Sequence, residues 1–385
     1  MTHPRRQSVD RVDGHRPGVS AQWENAVRIA PDRSYGEADD VLDRRSRRRR
    51  PGGPVTVRTF PTTGPGAVPD PEVAAMLATL DAGFPDVATM AAADVRAAIR
   101  ARRAPLQRLP EMRQARDLTI DGPGGPLPLR VFRPHHDGGA LPVIVFAHGG
   151  GFVFCDLDSH DEFCRSMAAG VGALVISVDY RLAPEHPGPA AHDDMFAALR
   201  WAAENAGAYG GDPSRIALAG DSAGGNLAAT VAIAARDGGG PRLAAQILIY
   251  PVIDDDLETE SYRRFGTGHY NTTSAMRWYW QNYAPDGTDD VRLVPTRADS
   301  LAGLPPAVVI TAELDPPCAS GDAYAQRLAT DGVAVRHRRY NGLFHGFLSI
   351  PSLAATVSAR KEIWAMVREM LDLPGSADGR GERNH

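Results

Sequence analysis

From Leu118 onward, short β-branched or apolar runs alternate with stretches of helical character, and few architectures satisfy that order. The runs fall at residues 143–146, 174–178, 216–219, 247–250, 308–311 and 333–337. Helix-compatible segments at 163–169, 193–205, 225–236, 324–330 and 359–371 separate most of them. Strands that are apolar on both faces and joined through helices predict an α/β fold with a mostly parallel sheet covered on both sides. Ahead of them, 118–120 and 127–132 flank the turn-rich DGPGG and predict an antiparallel hairpin at one sheet edge. One connection breaks the alternation, the long segment between 250 and 308, with Trp278, Tyr279, Trp280 and Tyr283 on a predicted helix. A connection of that length predicts an inserted element with an aromatic inner face.

The flanks read differently. Residues 1–60 are polar, with Arg44, Arg45 and Arg47 to Arg50 in one run, and lack the apolar periodicity needed to offset the entropy of ordering. They are read as a disordered tail, with the arginine run solvated rather than bound to nucleic acid. The net charge of −5 shows no nucleic-acid footprint over the whole chain. The ordered domain is placed at 61–375, with covering helices at about 70–115 and 255–295, and 376–385 as a flexible tail. The first covering helices start at Asp70-Pro71, with Val73, Met76, Leu77 and Leu80 at helical spacing, and continue through Val95 and Ile99. Three cysteines (Cys155, Cys164, Cys318) with no C-x-x-C pair predict a reducing, cytoplasmic setting. No apolar run reaches the length of a membrane span.

Chemistry concentrates at the ends of the predicted strands. Gly220-Asp221-Ser222-Ala223-Gly224 follows the run at 216–219 and opens a helix. A serine in a tight strand-to-helix turn exposes its Oγ, and the flanking glycines permit the turn. His148-Gly149-Gly150-Gly151 follows the run at 143–146. Glycines there let backbone N–H groups converge on an oxyanion, so Gly149 and Gly150, with Ala223 after the nucleophile, are the predicted donors. His148 is read as a structural anchor of the loop. A serine hydroxyl needs a base, and the base needs an acid that fixes its tautomer. Of the histidines after Ser222, His345 stands in the loop after the last strand, whereas His337 falls inside a strand, His269 in the insertion and His385 at the terminus. Asp315 begins the turn after the preceding strand and is the predicted acid, with Glu313 and Asp322 as rivals. Trp278, Trp280 and Phe344 are placed in the substrate pocket. Arg181 and Glu185 read as a loop brace, and His192-Asp193-Asp194 and Asp254-Asp255-Asp256 as helix-start or surface carboxylates, with no metal or cofactor expected.

Taken together, HGGG, Tyr180-Arg181-Leu182-Ala183-Pro184-Glu185, GDSAGG, the Asp315 turn and His345-Gly346-Phe347 resemble the hormone-sensitive-lipase-like esterases, nearest their bacterial GDSAG branch. The resemblance spans roughly residues 70–372. It implies an α/β-hydrolase fold of about eight strands flanked by helices, with a helical lid. It also implies cofactor-free hydrolysis of small-molecule esters with short to medium acyl chains, and a possible homodimer. The chain departs from the family at Asp315-Pro316-Pro317-Cys318-Ala319, where members carry D-P-L-R/C-D, so a second acid is missing. An amide or peptide hydrolase would use the same machinery. A ligand receptor on this fold is the other alternative, although such receptors lose the histidine that is present here as His345.

Overall fold

The computed structural model describes residues 58–59, 69–103 and 109–371. The readings of the arginine run and of the C-terminal tail lie outside them. The elements run β1 (Arg58–Thr59), α1 (Pro71–Gly83), α2 (Ala92–Ala101), β2 (Gln114–Gly122), β3 (Gly125–Arg133), β4 (Leu141–Ala147), α3 (Asp161–Val171), β5 (Leu174–Val178) and α4 (Ala190–Asn205). They continue with β6 (Gly211–Asp221), α5 (Ala223–Asp237), β7 (Leu243–Ile249), α6 (Glu260–Phe265), α7 (Thr273–Tyr283), β8 (Ala307–Leu314), α8 (Cys318–Thr330), β9 (Val335–Phe344) and α9 (Ala354–Met370).

The strands form one sheet in the order β1-β9-β8-β7-β6-β4-β5-β3-β2. β2 and β3 make the antiparallel hairpin, β3 also runs antiparallel to β5, and every pairing from β5 through β4 to β1 is parallel. The two-residue β1 falls inside the stretch read as a tail. Its backbone pairs with Arg336 and His337 of β9, where an edge strand otherwise leaves its N–H and C=O groups open.

Period-two alternation builds the core. Val143, Val145 and Ala147 of β4 face one hydrophobic cluster with α4, α5 and α7, while Ile144 and Phe146 face a second with α3 and α9. Both faces are covered, which is why β4 and β5 are buried throughout and apolar except for Ser177. α5 is sheathed nearly all round and is rich in alanine and glycine, so the chain packs close on either side of it. No helix among the described residues is long and apolar enough to cross a membrane.

Candidate active site

The parallel strands β4, β6 and β8 all deliver their C-terminal ends to one rim, and the chemistry-bearing residues sit there. Ser222 follows β6 with φ 57° and ψ −119°, a conformation that costs a non-glycine residue energy and that only a fixed surrounding sustains. The surrounding is fixed by hydrogen bonds. The Ser222 N–H donates to the Ile249 carbonyl at 2.8 Å, and the Ser222 carbonyl accepts from Val252 at 3.1 Å and Asn226 at 3.2 Å. Gly224 is required for packing: a Cβ there would collide with the Ala147 carbonyl of the neighbouring strand.

The His345 ring lies between two partners. Nε2 is 2.8 Å from Ser222 Oγ, and Nδ1 is 2.8 Å from Asp315 Oδ2. All three side chains are buried. Burial pushes the Asp315 carboxyl above the usual carboxylate range, and the contact with His345 pulls against that rise. The rivals are engaged elsewhere. Glu313 accepts from the Gly342 N–H at 2.8 Å, and Asp322 meets Thr311, His337 and Arg339. The unusual Pro-Pro-Cys-Ala stretch after Asp315 is held from the insertion: Ser261 Oγ donates to the Pro316 carbonyl at 2.6 Å and accepts from the Ala319 N–H at 3.1 Å. No signal in the sequence pointed to Ser261.

The glycine loop corrects one expectation. The Gly149 N–H donates to Asp221 Oδ1 at 2.8 Å, so the first expected donor is already engaged. A Cβ on Gly149 would stand 2.6 Å from Asp221 Oδ2, which fixes that position as glycine. Gly150 (φ +117°) and Gly151 (φ +58°) turn the next two peptides, and all three glycines line the cavity with Ser222. Gly151, the third glycine of HGGG, thus stands beside Gly150 at the cavity, and Ala223 opens α5 directly after Ser222. His148 stacks on Tyr180 at 4.3 Å, and the Tyr180 hydroxyl donates to the His148 carbonyl at 2.7 Å.

A cavity of about 250 Å³ opens over these groups, walled by Leu80, Phe84, Phe154, Tyr270, Tyr279 and Ile350. The three expected pocket residues are elsewhere. Helical rotation of about 100° per residue lets one side chain of three consecutive positions face the cavity, and on α7 that is Tyr279. Trp280 turns inward against Phe152 at 5.8 Å, and Trp278 packs beside Tyr279. Phe344 ends β9 fully buried in the sheet's second core. A larger groove, about 750 Å³, lies between α3 and α9 and contains no member of the Ser222–His345–Asp315 set.

Arg181 is bound to Asp194 at 2.9 Å and Glu185 to Arg96 at 2.6 Å, so both brace loops. His192 meets Thr230, Asp254 meets Thr296, and Asp255 meets Arg297.

A family model described as the α/β-hydrolase fold matches residues 144–349. A carboxylesterase of Mycobacterium tuberculosis, NlhH, is 43% identical over 289 residues, covering 72% of this chain and 90% of that protein. A carboxylic ester hydrolase of the same organism, LipN, is 44% identical, covering 63% of this chain and 66% of its own length. Among solved structures, an ester hydrolase from the metagenome of Lake Arreo, complexed with a bipyridine phosphonate derivative, superposes with a TM-score of 0.75 at 38% identity. It covers 79% of this chain and all of its own. A thermostable esterase from Pseudomonas putida gives 0.75 at 36% identity, over 81% of this chain and all of its own. The chain belongs to the α/β-hydrolase family, in its hormone-sensitive-lipase-like branch.

Proposed function

We propose that this carboxylic ester hydrolase works by two-step acyl transfer through Ser222, His345 and Asp315 on esters with short to medium acyl chains. The observation that carries the reading is the pair of 2.8 Å contacts joining Ser222 Oγ, the imidazole and the Asp315 carboxylate. Nδ1–H on the Asp315 side leaves Nε2 as the acceptor for the serine proton. As Ser222 Oγ attacks the ester carbonyl, His345 takes that proton and the buried carboxylate stabilises the imidazolium. The N–H groups of Gly150, Gly151 and Ala223 hold the oxyanion, with Ala223 at the positive end of α5. His345 then protonates the departing alcohol, and a water that it deprotonates releases the acid.

A cavity of about 250 Å³ walled by aromatic rings favours small acyl groups. The lid in this reading is made by α1, which contributes Leu80, with Phe84 just beyond its end, and by the insertion with Tyr270 and Tyr279. The test is hydrolysis of p-nitrophenyl acetate, butyrate, octanoate and palmitate by the wild type beside Ser222→Ala. Turnover is expected to peak on the short chains and to fall on the order of 10⁴-fold or more in the variant. Near-native turnover by Ser222→Ala sinks the mechanism, and a peak on palmitate sinks the chain-length assignment.

A further inference from the structure

Directly beneath the nucleophile lies a group of hydrogen bonds that the acyl-transfer steps leave unused. Asp221, the neighbour of Ser222, is a carboxylate only 4% exposed. Its Oδ1 accepts from the Gly149 N–H at 2.8 Å and lies 3.2 Å from Nε2 of His160, itself 6% exposed. His160 stands at the entrance of α3, far from Asp221 in the chain. Its other ring nitrogen, Nδ1, is 3.1 Å from Ser159 Oγ. Ser159 is held in turn: its Oγ accepts from the Asp156 N–H at 2.9 Å and lies 2.6 Å from the Asp156 carbonyl, so its hydroxyl proton is shared between that carbonyl and Nδ1. The Asp156 carboxylate pairs with Arg103 at 2.6 Å. The His160 ring is boxed by His148, Phe146 and Phe163 at centroid distances of 5.5, 6.1 and 6.3 Å. It therefore has one orientation, with Nε2 on Asp221.

A carboxylate withdrawn from water is costly unless charge and donors compensate it. Burial works to raise Asp221, but the His160 imidazole and the Gly149 N–H outweigh it and hold the carboxyl below its ordinary range. His148 offers little help as a cation, because burial and the neighbouring His160 drive its imidazole down to about 4. The charge is thus retained next to the nucleophile and is aimed at one backbone N–H. A run of three glycines has many backbone conformations of similar energy, and catalysis needs the one that presents two N–H groups to the oxyanion. Pinning the first N–H selects that conformation before substrate arrives.

We infer that His160 is a positioning residue for the oxyanion loop: through Nε2–H it fixes the Asp221 carboxylate, which holds the Gly149 N–H and leaves the Gly150 and Gly151 N–H groups for the substrate. The inference rests on Ser222 acting as the nucleophile. It concerns preorganisation, so its signature is in turnover rather than in ground-state binding.

The experiment measures kcat and KM on p-nitrophenyl butyrate, and the melting temperature, for His160→Leu, His160→Gln, Asp221→Asn and the double variant Asp221→Asn with His160→Leu, beside Ser222→Ala. His160→Leu is expected to lower kcat roughly 30-fold with KM within about threefold, the loss typical of a misplaced donor. The terminal amide of Gln reaches the position of Nε2, so His160→Gln is expected to recover to within about threefold of wild type. In the Asp221→Asn background, His160→Leu should add almost nothing, because both act through one contact. A His160→Leu protein that melts earlier but keeps native kcat overturns the inference, as does a Gln variant as slow as Leu. If His160→Leu fails to fold, the polar variants decide: Asp221→Asn slowed about 30-fold beside a near-native His160→Gln supports the inference, and Asp221→Asn at native kcat overturns it. Activity surviving in Ser222→Ala overturns the nucleophile and this inference together, whereas a dead Ser222→Ala beside unaffected His160 and Asp221 variants overturns only the latter.

Discussion

Ser222 and His345 stand at strand ends in turns held largely by backbone geometry, whereas α1, α2 and the insertion are held by side chains from distant parts of the chain. On the floor, the Ser222 N–H is bound at 2.8 Å to the end of the adjacent strand, and Gly224 sits against the Ala147 carbonyl. Away from it, α2 is tied down by Arg96, which donates to the Val153 and Ala183 carbonyls at 2.7 Å each and pairs with Glu185 at 2.6 Å. The Tyr270 N–H donates to Asp81 of α1 at 3.0 Å, and its ring packs edge-on against Phe84 at 4.7 Å. The difference separates two properties. The turns that present Ser222 and His345 are set largely by local backbone, and the cavity wall by long-range packing.

The floor should therefore tolerate almost no change in backbone volume. Gly224→Ala is expected to abolish activity or folding, because its Cβ would overlap main-chain atoms that cannot move without breaking the β4–β6 pairing. A soluble Gly224→Ala protein with native kcat would show that the Ser222 turn tolerates displacement of the β4 main chain.

The same contrast governs what the sequence revealed. The serine turn, the glycine loop and the histidine loop were legible because each is a short motif attached to a strand, and the strands announce themselves by apolar runs. Which glycine N–H is tied back into the protein was not legible, since it depends on Asp221, a residue 72 positions from Gly149. The tryptophans of α7 were misplaced because composition reveals an aromatic helix but not its rotation, which packing of Trp280 and Tyr283 on Phe152 sets. Arg96 and Ser261 gave no signal at all, because their partners lie 57 to 89 and 55 to 58 residues away.

Acid should lower the stability of the fold before it releases the Arg96–Glu185 brace. Burial, helped by Arg292, drives the His192 imidazole down to about 4, so between pH 6.5 and 4 the unfolded chain binds a proton that the folded chain refuses. Stability contributed at this position is complete above pH 6.5 and falls as pH drops toward 4, by about 3 kcal/mol in total. Glu185, whose carboxyl the Arg96 guanidinium holds down at about 2, stays ionised over that window and keeps α2 attached. Unfolding free energies of wild type and His192→Gln from pH 7 to 4 provide the check. Parallel curves would refute the assignment to His192.

Loosening the cover alone should cost less. Arg96→Met removes the donor shared by Val153, Ala183 and Glu185, and the expected loss is about 2 kcal/mol of stability. Because Ser222, His345 and Asp315 are untouched, kcat should stay within about twofold while KM rises several-fold. A kcat loss as large as that of a floor variant would show that the two regions are not separable.

The finest test concerns selectivity. The Tyr279 ring lies over Gly151, close enough that a Cβ on that glycine would strike it, and it walls the cavity directly above the oxyanion loop. Replacing the ring by a methyl group should extend the cavity along the acyl chain without touching Ser222, His345 or the N–H donors. Each methylene newly accommodated in an apolar pocket is worth about 1 kcal/mol, so Tyr279→Ala should raise the octanoate-to-acetate ratio of kcat/KM roughly tenfold. Trp280→Ala is the control, since that side chain faces Phe152 and the core; it should lower stability by about 3 kcal/mol and leave the ratio unchanged. If Trp280→Ala shifts the chain-length profile and Tyr279→Ala does not, the rotation assigned to α7 is wrong, and with it the claim that packing at a distance sets the acyl limit.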